Sequence, residues 1–189
     1  MLLTRSNHIV HHEAESDELL IERAKLNPEA FEVLYRKYYA EIFRYVHKKV
    51  QDQDETADIV SRVFIKSYRT IEDFQYKGLP YSAWLYRVAI NETNQYFRKN
   101  KTRHVVIDEH LSSSIAFEIN LDSSRSELID KLPSVLNQLK PDNLELIELR
   151  YFEGLTFRQI SEIMNLTETN CKVKTFRALK KLKKLLSHD

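Results

Sequence analysis

The sequence predicts an all-α protein of two small domains. Its 189 residues include only two glycines and four prolines, which leaves little of the turn chemistry that a sheet protein needs. Hydrophobic residues make up 42% of the chain, and they recur at the spacing of amphipathic helices, with no alternation that would favour a strand. We therefore expect a four-helix bundle, a flexible acidic linker and a helix-turn-helix domain, in that order.

The composition also excludes several classes of protein. Cys171 is the only cysteine, so an internal disulfide framework and a four-cysteine zinc site are ruled out. No apolar run approaches the roughly 18 residues of a membrane span. The first fifteen residues lack the hydrophobic middle of a signal peptide. We therefore expect a cytoplasmic protein without membrane insertion.

The formal net charge of +1 hides an uneven distribution along the chain. Residues 104–130 carry one basic and six acidic groups, whereas the segments before and after them have charges of +2 and +4. The acidic segment is rich in serine and lacks sustained helical periodicity, which is typical of a linker. The predicted division is a flexible N-terminus (1–15), a first domain (16–103), the linker (104–126) and a second domain (127–189).

Four helices are predicted in the first domain. Asn27 and Pro28 supply an N-cap and a first-turn proline for the longest of them, and apolar residues then recur at helical spacing as far as Val50. Acidic residues at the start of the third helix suit the positive end of its dipole. The predicted ranges are about 16–25, 28–50, 54–71 and 81–101.

The loop before the fourth helix is the candidate binding site of the first domain. Its aromatic residues lie outside any helical stripe, and loops on a rigid scaffold concentrate binding residues. Aromatic faces beside cations suit unpaired bases and phosphates. We expect most other aromatic residues of this domain to be core. The candidates are Phe74, Gln75, Tyr76 and Lys77, and the basic and polar end of the fourth helix lies beside them.

Residues 141–186 have the pattern of a helix-turn-helix DNA-binding unit. Gly154 follows an apolar run, at the point where a helix needs a left-handed closing residue. Thr156 and Gln159 fit a capping box at the start of the next helix, and Thr167 is a cap candidate for the last one. Because that last helix is strongly basic, the pattern predicts duplex DNA as its partner.

In this order the two blocks resemble the extracytoplasmic-function group of bacterial sigma factors, the smallest members of the sigma-70 family. The start of that family's region 2 resembles PEAFEVLYRKYYAEIFRYV, its polymerase-binding helix resembles ADIVSRVFIKSY, and its minus-ten-element helix resembles AWLYRVAINETNQYFRK. Region 4, which binds the minus-thirty-five element, resembles LRYFEGLTFRQISEIM and TFRALKKL. Two blocks in this order are far more specific than a lone helix-turn-helix.

The resemblance implies a dissociable specificity subunit and not an enzyme. Such a subunit binds core RNA polymerase, through the beta-prime clamp and the beta flap, directs it to promoter DNA and helps to open that DNA. It needs no cofactor and no metal. We expect a monomer when the chain is free, and an anti-sigma factor is a further partner that the resemblance allows.

Residue roles follow from the same resemblance. The region 2-like contacts with DNA are the four loop residues named above together with Arg87, Asn91 and Arg98 of the fourth helix. The region 4-like contacts are Lys172, Val173, Lys174, Phe176 and Arg177. The polymerase contacts are Asp58, Ser61, Arg62 and Phe64. Two of these depart from the family, since Ser61 and Arg62 stand where Gln-Glu is usual, so we expect the contact with the clamp to differ.

Two other classes of protein compete with this interpretation. A stand-alone helix-turn-helix regulator would explain residues 141–186 but gives no role to the loop, the basic helix and the linker before them, and such regulators usually dimerise. A metal enzyme is the weaker rival, because its ligands would lie in a polar terminus without a scaffold or an HExxH spacing. Those ligands would be His8, His11, His12, Glu13 and Glu15.

Overall fold

The computed structural model describes residues 15–100, Ile115, Glu118 and 125–187 of the chain. All regular secondary structure in these residues is helical, as the sequence predicts. The helices are α1 (Asp17–Leu26), α2 (Phe31–Val50), α3 (Gln53–Arg69), α4 (Tyr81–Asn100), α5 (Arg125–Leu136), α6 (Pro141–Ile147), α7 (Phe157–Met164) and α8 (Glu168–Leu186). Of the metal ligands considered above, His8, His11, His12 and Glu13 lie outside the described residues.

Side-chain caps set the helix starts in the first domain. The Ser16 hydroxyl accepts a hydrogen bond from an N–H of the first turn of α1, and the Asp52 carboxylate does the same for α3. Asn27 accepts from the Glu29 N–H at 3.0 Å, but it opens a short 3-10 turn (Pro28–Ala30) and not α2 itself. The predicted helix at 28–50 therefore becomes α-helical only at Phe31.

The first domain is a bundle in which α2, α3 and α4 pack on one another and α1 packs on α2. Its core consists of apolar residues that recur at helical spacing along the four helices, as the sequence predicts. Removing this apolar surface from water stabilises the bundle by about 1.5–3 kcal/mol for each large side chain. Fully buried members include Leu34, Ile42, Ile59, Val63 and Leu85.

The second domain has its own apolar cluster, built from α5, α6 and α8. Pro133 lies inside α5, which continues through it to Leu136. A π-helical turn (Glu148–Phe152) extends α6 by five residues. Ile115, a residue of the predicted linker, is helical and fully buried in this cluster. Ile115 therefore contributes to the core of the second domain.

The two domains are docked against each other. Helix α7 packs on α4, and Leu146 and Leu149 join the apolar cluster of the first domain. Lys49 of α2 is only 4% exposed, and its ammonium donates to the carboxylates of Glu145, at 2.9 Å, and Glu148. Nothing in the local sequence pattern predicts this contact, because its partners are almost a hundred residues apart.

Candidate nucleic-acid interface

The turn chemistry predicted for the helix-turn-helix is confirmed. Gly154 has a φ of +66° after the π-helical turn. The Gln159 N–H donates to the Thr156 hydroxyl at 3.2 Å, and the Thr156 N–H donates to the Gln159 side-chain oxygen at 2.8 Å. Asn165 then closes α7 in the left-handed conformation. Each signal is local, since a left-handed closing residue and a capping box depend on a few neighbouring residues.

Helix α8 separates a buried face from an exposed one. The Thr167 hydroxyl caps it by accepting from the Asn170 N–H at 3.1 Å. Cys171, Ala178, Leu179 and Leu182 are buried on one side, and burial raises the pKa of the Cys171 thiol. Phe176 is 68% exposed on the other side. The predicted contact residues divide into four exposed ones, Lys172, Val173, Phe176 and Arg177, and the half-buried Lys174.

Lys172 already has partners on the surface of the domain. Its ammonium lies 2.7 Å from the Glu168 carboxylate, one turn earlier in α8, and 6.0 Å from the centre of the Phe157 ring. Exposed ion pairs of this kind contribute about 0–1 kcal/mol. A phosphate or a guanine edge can therefore replace Glu168 at little cost.

The loop before α4 borders a cavity of about 350 Å³. The Phe74 ring lies 5.1 Å from that of Tyr81 and 5.9 Å from that of Trp84, so Phe74 also packs on α4. Gln75 and Lys77 are exposed at the rim. The structure thus brings three of the four predicted loop residues to one concave site, whereas the fourth, Tyr76, packs on the core of the bundle.

The three predicted residues of α4 lie at two concave sites. Arg87 lines the cavity beside the loop, where its guanidinium carbon is 5.9 Å from the centre of the Trp84 ring. Asn91 and Arg98 lie further along α4, in an open cleft of about 660 Å³. The remaining walls of this cleft are Lys66, Asn94, Gln95, Phe97 and Pro141.

The four residues predicted to contact polymerase lie on α3, but they do not share one face. Asp58, Ser61 and Arg62 are exposed, whereas Phe64 is buried. The Phe64 ring lies 4.8 Å from that of Tyr35 on α2, so it supports the surface from beneath. Arg62 extends from the surface toward α4, and its Nε lies 3.2 Å from a carboxylate oxygen of Glu92.

Glu92 is a site residue that sequence reasoning missed. It is only 3% exposed, and it lies between two helices that are both predicted to have binding roles. Its position carried a signal, because it follows the buried Val88 and Ala89 at the four- and three-residue spacing of the inward stripe. A carboxylate on such a stripe requires a charged or hydrogen-bonding partner.

Among the described residues, no group of three histidine, cysteine or acidic side chains is placed to hold a metal ion. Within the same residues, no helix is long and apolar enough to cross a membrane.

A helical bundle with an aromatic cavity, joined to a helix-turn-helix with an exposed basic face, defines a two-domain DNA-binding protein. Two family models match these domains. The one described as "Sigma-70 region 2" matches residues 34–103, and the one described as "Sigma-70, region 4" matches residues 129–182. The order is the one that the sequence predicts, and a stand-alone regulator would leave the first match unexplained.

Curated relatives point to the same family. The chain is 28% identical, over 173 residues, to the ECF RNA polymerase sigma factor BldN of Streptomyces coelicolor. This alignment covers 90% of this chain and 66% of that protein. It is 26% identical to the ECF RNA polymerase sigma factor SigM of Bacillus subtilis, with 80% and 92% covered. The chain belongs to the extracytoplasmic-function group of the sigma-70 family and is an RNA polymerase sigma factor.

Solved structures share the fold. CnrH, in complex with the cytosolic domain of CnrY, superposes with a TM-score of 0.63 at 20% identity and covers 93% of this chain and 99% of that one. The sigma factor RpoE from Bartonella quintana, in complex with the anti-sigma factor NepR, gives 0.55 at 18% identity, with 84% and 98% covered. At these identities the likeness concerns the fold alone.

Proposed function

We propose that this sigma factor binds core RNA polymerase, directs it to promoters through two DNA elements and promotes opening of the DNA between them. One observation carries the proposal: the chain has two candidate DNA sites that suit different states of DNA. The exposed face of α8 suits the major groove of a duplex. The aromatic cavity beside α4 suits an unpaired base.

The minus-thirty-five element is assigned to α8. Lys172 and Arg177 are placed to donate to guanine O6 and N7 or to phosphates, and Val173 and Phe176 to contact thymine methyl groups or sugars. Lys174 is half-buried beside them and is assigned to the backbone. A few positions of α8 then specify sequence, and its other lysines strengthen binding to any duplex.

The minus-ten element is assigned to the loop and α4. An unpaired base would stack against the aromatic wall of the cavity, near Phe74, while Gln75, Lys77 and Arg87 contact its edge and the phosphates. Asn91 and Arg98 would guide the strand along the cleft. Tyr76 supports the loop from the core side. Opening then needs no hydrolysis, because preferential binding of the unpaired strand shifts the equilibrium toward the open form.

The contact with polymerase is assigned to α3 for the beta-prime clamp and to the second domain for the beta flap. Asp58 and Ser61 supply exposed polar groups on α3, and Phe64 stiffens the surface by packing on α2. An anti-sigma factor is a further proposed partner, supported by the complex of RpoE with NepR. We further propose that the chain acts in the bacterial cytoplasm and is a monomer until polymerase binds it.

The test is a promoter selection with reconstituted enzyme. Bacterial core polymerase is mixed with the full chain and offered a DNA library randomised over two blocks upstream of a start site. We expect enrichment of two conserved blocks at a fixed spacing. Failure of the chain to bind core polymerase, or enrichment of a single block independent of polymerase, would refute the proposal.

Two variants of α8 test the residue assignment. Arg177→Ala should reduce discrimination between matched and mismatched upstream elements by about 1–3 kcal/mol. Lys180→Ala is the matched control, since loss of a phosphate contact weakens binding to all sequences about equally. Competition binding measures this discrimination. If the Arg177 variant discriminated as well as wild type, Arg177 would not be a sequence-specific contact.

A further inference from the structure

A buried carboxylate joins the helix assigned to polymerase with the helix assigned to the minus-ten element. Glu92 of α4 points its two oxygens at two cations of α3. One oxygen accepts from Arg62 Nε at 3.2 Å, and the other accepts from Lys66 Nζ. Arg62 and Lys66 are one helical turn apart, so they reach the same carboxylate from adjacent turns.

This arrangement fixes how α4 sits on α3. The effective penalty for burying a carboxylate is several kcal/mol, so Glu92 is tolerated inside only while both oxygens have donors. The side chains of Arg62 and Lys66 are 47% and 51% exposed, so each extends from the surface toward an interior partner. A rotation or slide of α4 would separate the three charges, and that cost opposes the movement.

The residues that such a rotation would move are the ones predicted to contact DNA. Asn91 directly precedes Glu92, and Asn94 and Gln95 follow within one turn, on the wall of the open cleft. Each residue of a helix is turned by about 100° from the one before it, so anchoring Glu92 inward directs these neighbours outward. Lys66, held by Glu92, lines the same cleft.

We propose that Glu92 is a positioning residue for minus-ten recognition, and that Arg62, Glu92 and Lys66 form a charged clamp that presents the polar face of α4 to the unpaired strand. The inference rests on the proposed function and assigns Arg62 a role within the protein, on α4, and not on polymerase. Arg62, which stands where the family usually has the glutamate of Gln-Glu, then supplies one of the two cations that Glu92 needs.

A charge-balancing role and a positioning role of the clamp predict opposite effects of one variant on promoter opening. Glu92→Gln keeps the shape of the side chain but leaves two cations beside the cleft without their carboxylate. If the clamp only balanced charge, the added positive charge would strengthen DNA binding and opening together. If the clamp positions α4, binding of any duplex is kept or strengthened while opening of a specific promoter falls.

The experiment uses the full chain with core polymerase and a promoter that the wild-type enzyme has selected. Glu92→Gln should lower permanganate reactivity of the minus-ten region by about tenfold, the loss expected of one charged hydrogen bond. Its affinity for core polymerase and for a duplex without the promoter should not fall. The matched control is Glu55→Gln, which removes an exposed acid from α3, the helix that supplies the two cations, and should leave opening unchanged.

A second variant keeps the test decisive if Glu92→Gln folds poorly. Arg62→Met should reduce opening without loss of core affinity, and Arg62→Lys, which restores a cation, should recover most of it. Normal opening by Glu92→Gln or Arg62→Met would overturn the positioning role. If Arg62→Met instead lost affinity for core polymerase in parallel with opening, Arg62 would be a direct polymerase contact. If the wild-type chain itself fails to open the promoter, the proposed function fails and not this inference alone.

Discussion

Asp17 shows how a single polar residue organises the first domain. Its carboxylate, buried at the start of α1, accepts from Lys37 Nζ at 2.6 Å, from the Tyr38 hydroxyl and from the Tyr81 backbone N–H at 2.6 Å. The last of these donors belongs to the first turn of α4, where helix N–H groups have no partner within the helix. Asp17 therefore caps α4 from another helix, which no local sequence pattern indicates.

These hydrogen bonds make the stability of the bundle depend on pH. Burial alone would raise the pKa of Asp17, but hydrogen bonds from Lys37, Tyr38 and the Tyr81 N–H outweigh it and hold the pKa below its usual value. The folded chain thus keeps the carboxylate ionised to a lower pH than the unfolded chain does. The resulting stabilisation is present above about pH 4 and is lost as the pH falls through the folded pKa.

Asp17→Asn should therefore lower the free energy of unfolding at pH 7 by about 1–3 kcal/mol, and the difference from wild type should shrink below about pH 4. Urea unfolding at pH 7 and pH 3 measures both values. Glu18→Gln, at the exposed neighbour, is the control and should change little. An equal loss at both pH values would show that the ionised form of Asp17 carries no special stabilisation.

At the scale of elements, the turn between the π-helical turn and α7 needs a glycine for its backbone conformation and not for lack of room for a side chain. Gly154 has a φ of +66°, and a Cβ built there would meet no atom within 4 Å. An alanine would therefore be disfavoured by its own backbone and not by a neighbour. The left-handed conformation costs about 1–2 kcal/mol for an ordinary L-residue.

Gly154→Ala should lower the free energy of unfolding by about 1 kcal/mol. Gly154→Asn is the matched variant and should lose less, because asparagine tolerates the left-handed region. Thermal unfolding of the full chain compares the two. Equal losses for alanine and asparagine would indicate a steric cause that the open surroundings of Gly154 do not supply.

Elements whose signals are local could be predicted from the sequence. Thr156, Gln159 and Thr167 formed the predicted caps, and the buried stripe of α8 is the one that its spacing indicates. The π-helical turn at Glu148–Phe152 could not be predicted, since one extra residue in a turn leaves the apolar pattern almost unchanged. In the loop, Phe74 packs on α4 as well as lining the cavity, and Tyr76 packs on the core alone. Neither contact could be predicted, because periodicity says nothing about irregular segments.

At the scale of the whole molecule, a buried charge cluster holds the two domains together. Lys49 of the first domain lies between Glu145 and Glu148 of the second, and the Tyr45 hydroxyl also donates to Glu145. At the edge of this contact Lys48 lies 3.1 Å from Glu153. Contacts between residues so far apart in sequence depend on tertiary packing, so helical periodicity and capping signals cannot predict them.

Removing the cation of this cluster should be costly. Lys49→Met leaves two buried carboxylates without it, and breaking a buried pair in this way costs about 3–5 kcal/mol. We expect a matching fall in the free energy of unfolding or, if only the docking is lost, a larger radius of gyration by small-angle X-ray scattering. The triple variant Lys49→Met, Glu145→Gln, Glu148→Gln should recover part of the loss. A single variant with wild-type stability and size would contradict the role of the cluster.

The most direct test of the central claim, that this chain gives polymerase its promoter specificity, is run-off transcription by core polymerase with and without the full chain on a selected promoter. We predict a transcript of defined length only when the chain is present, and its loss when either the upstream or the minus-ten block is scrambled. A transcript that is unchanged by adding the chain, or that survives scrambling of both blocks, would contradict the claim.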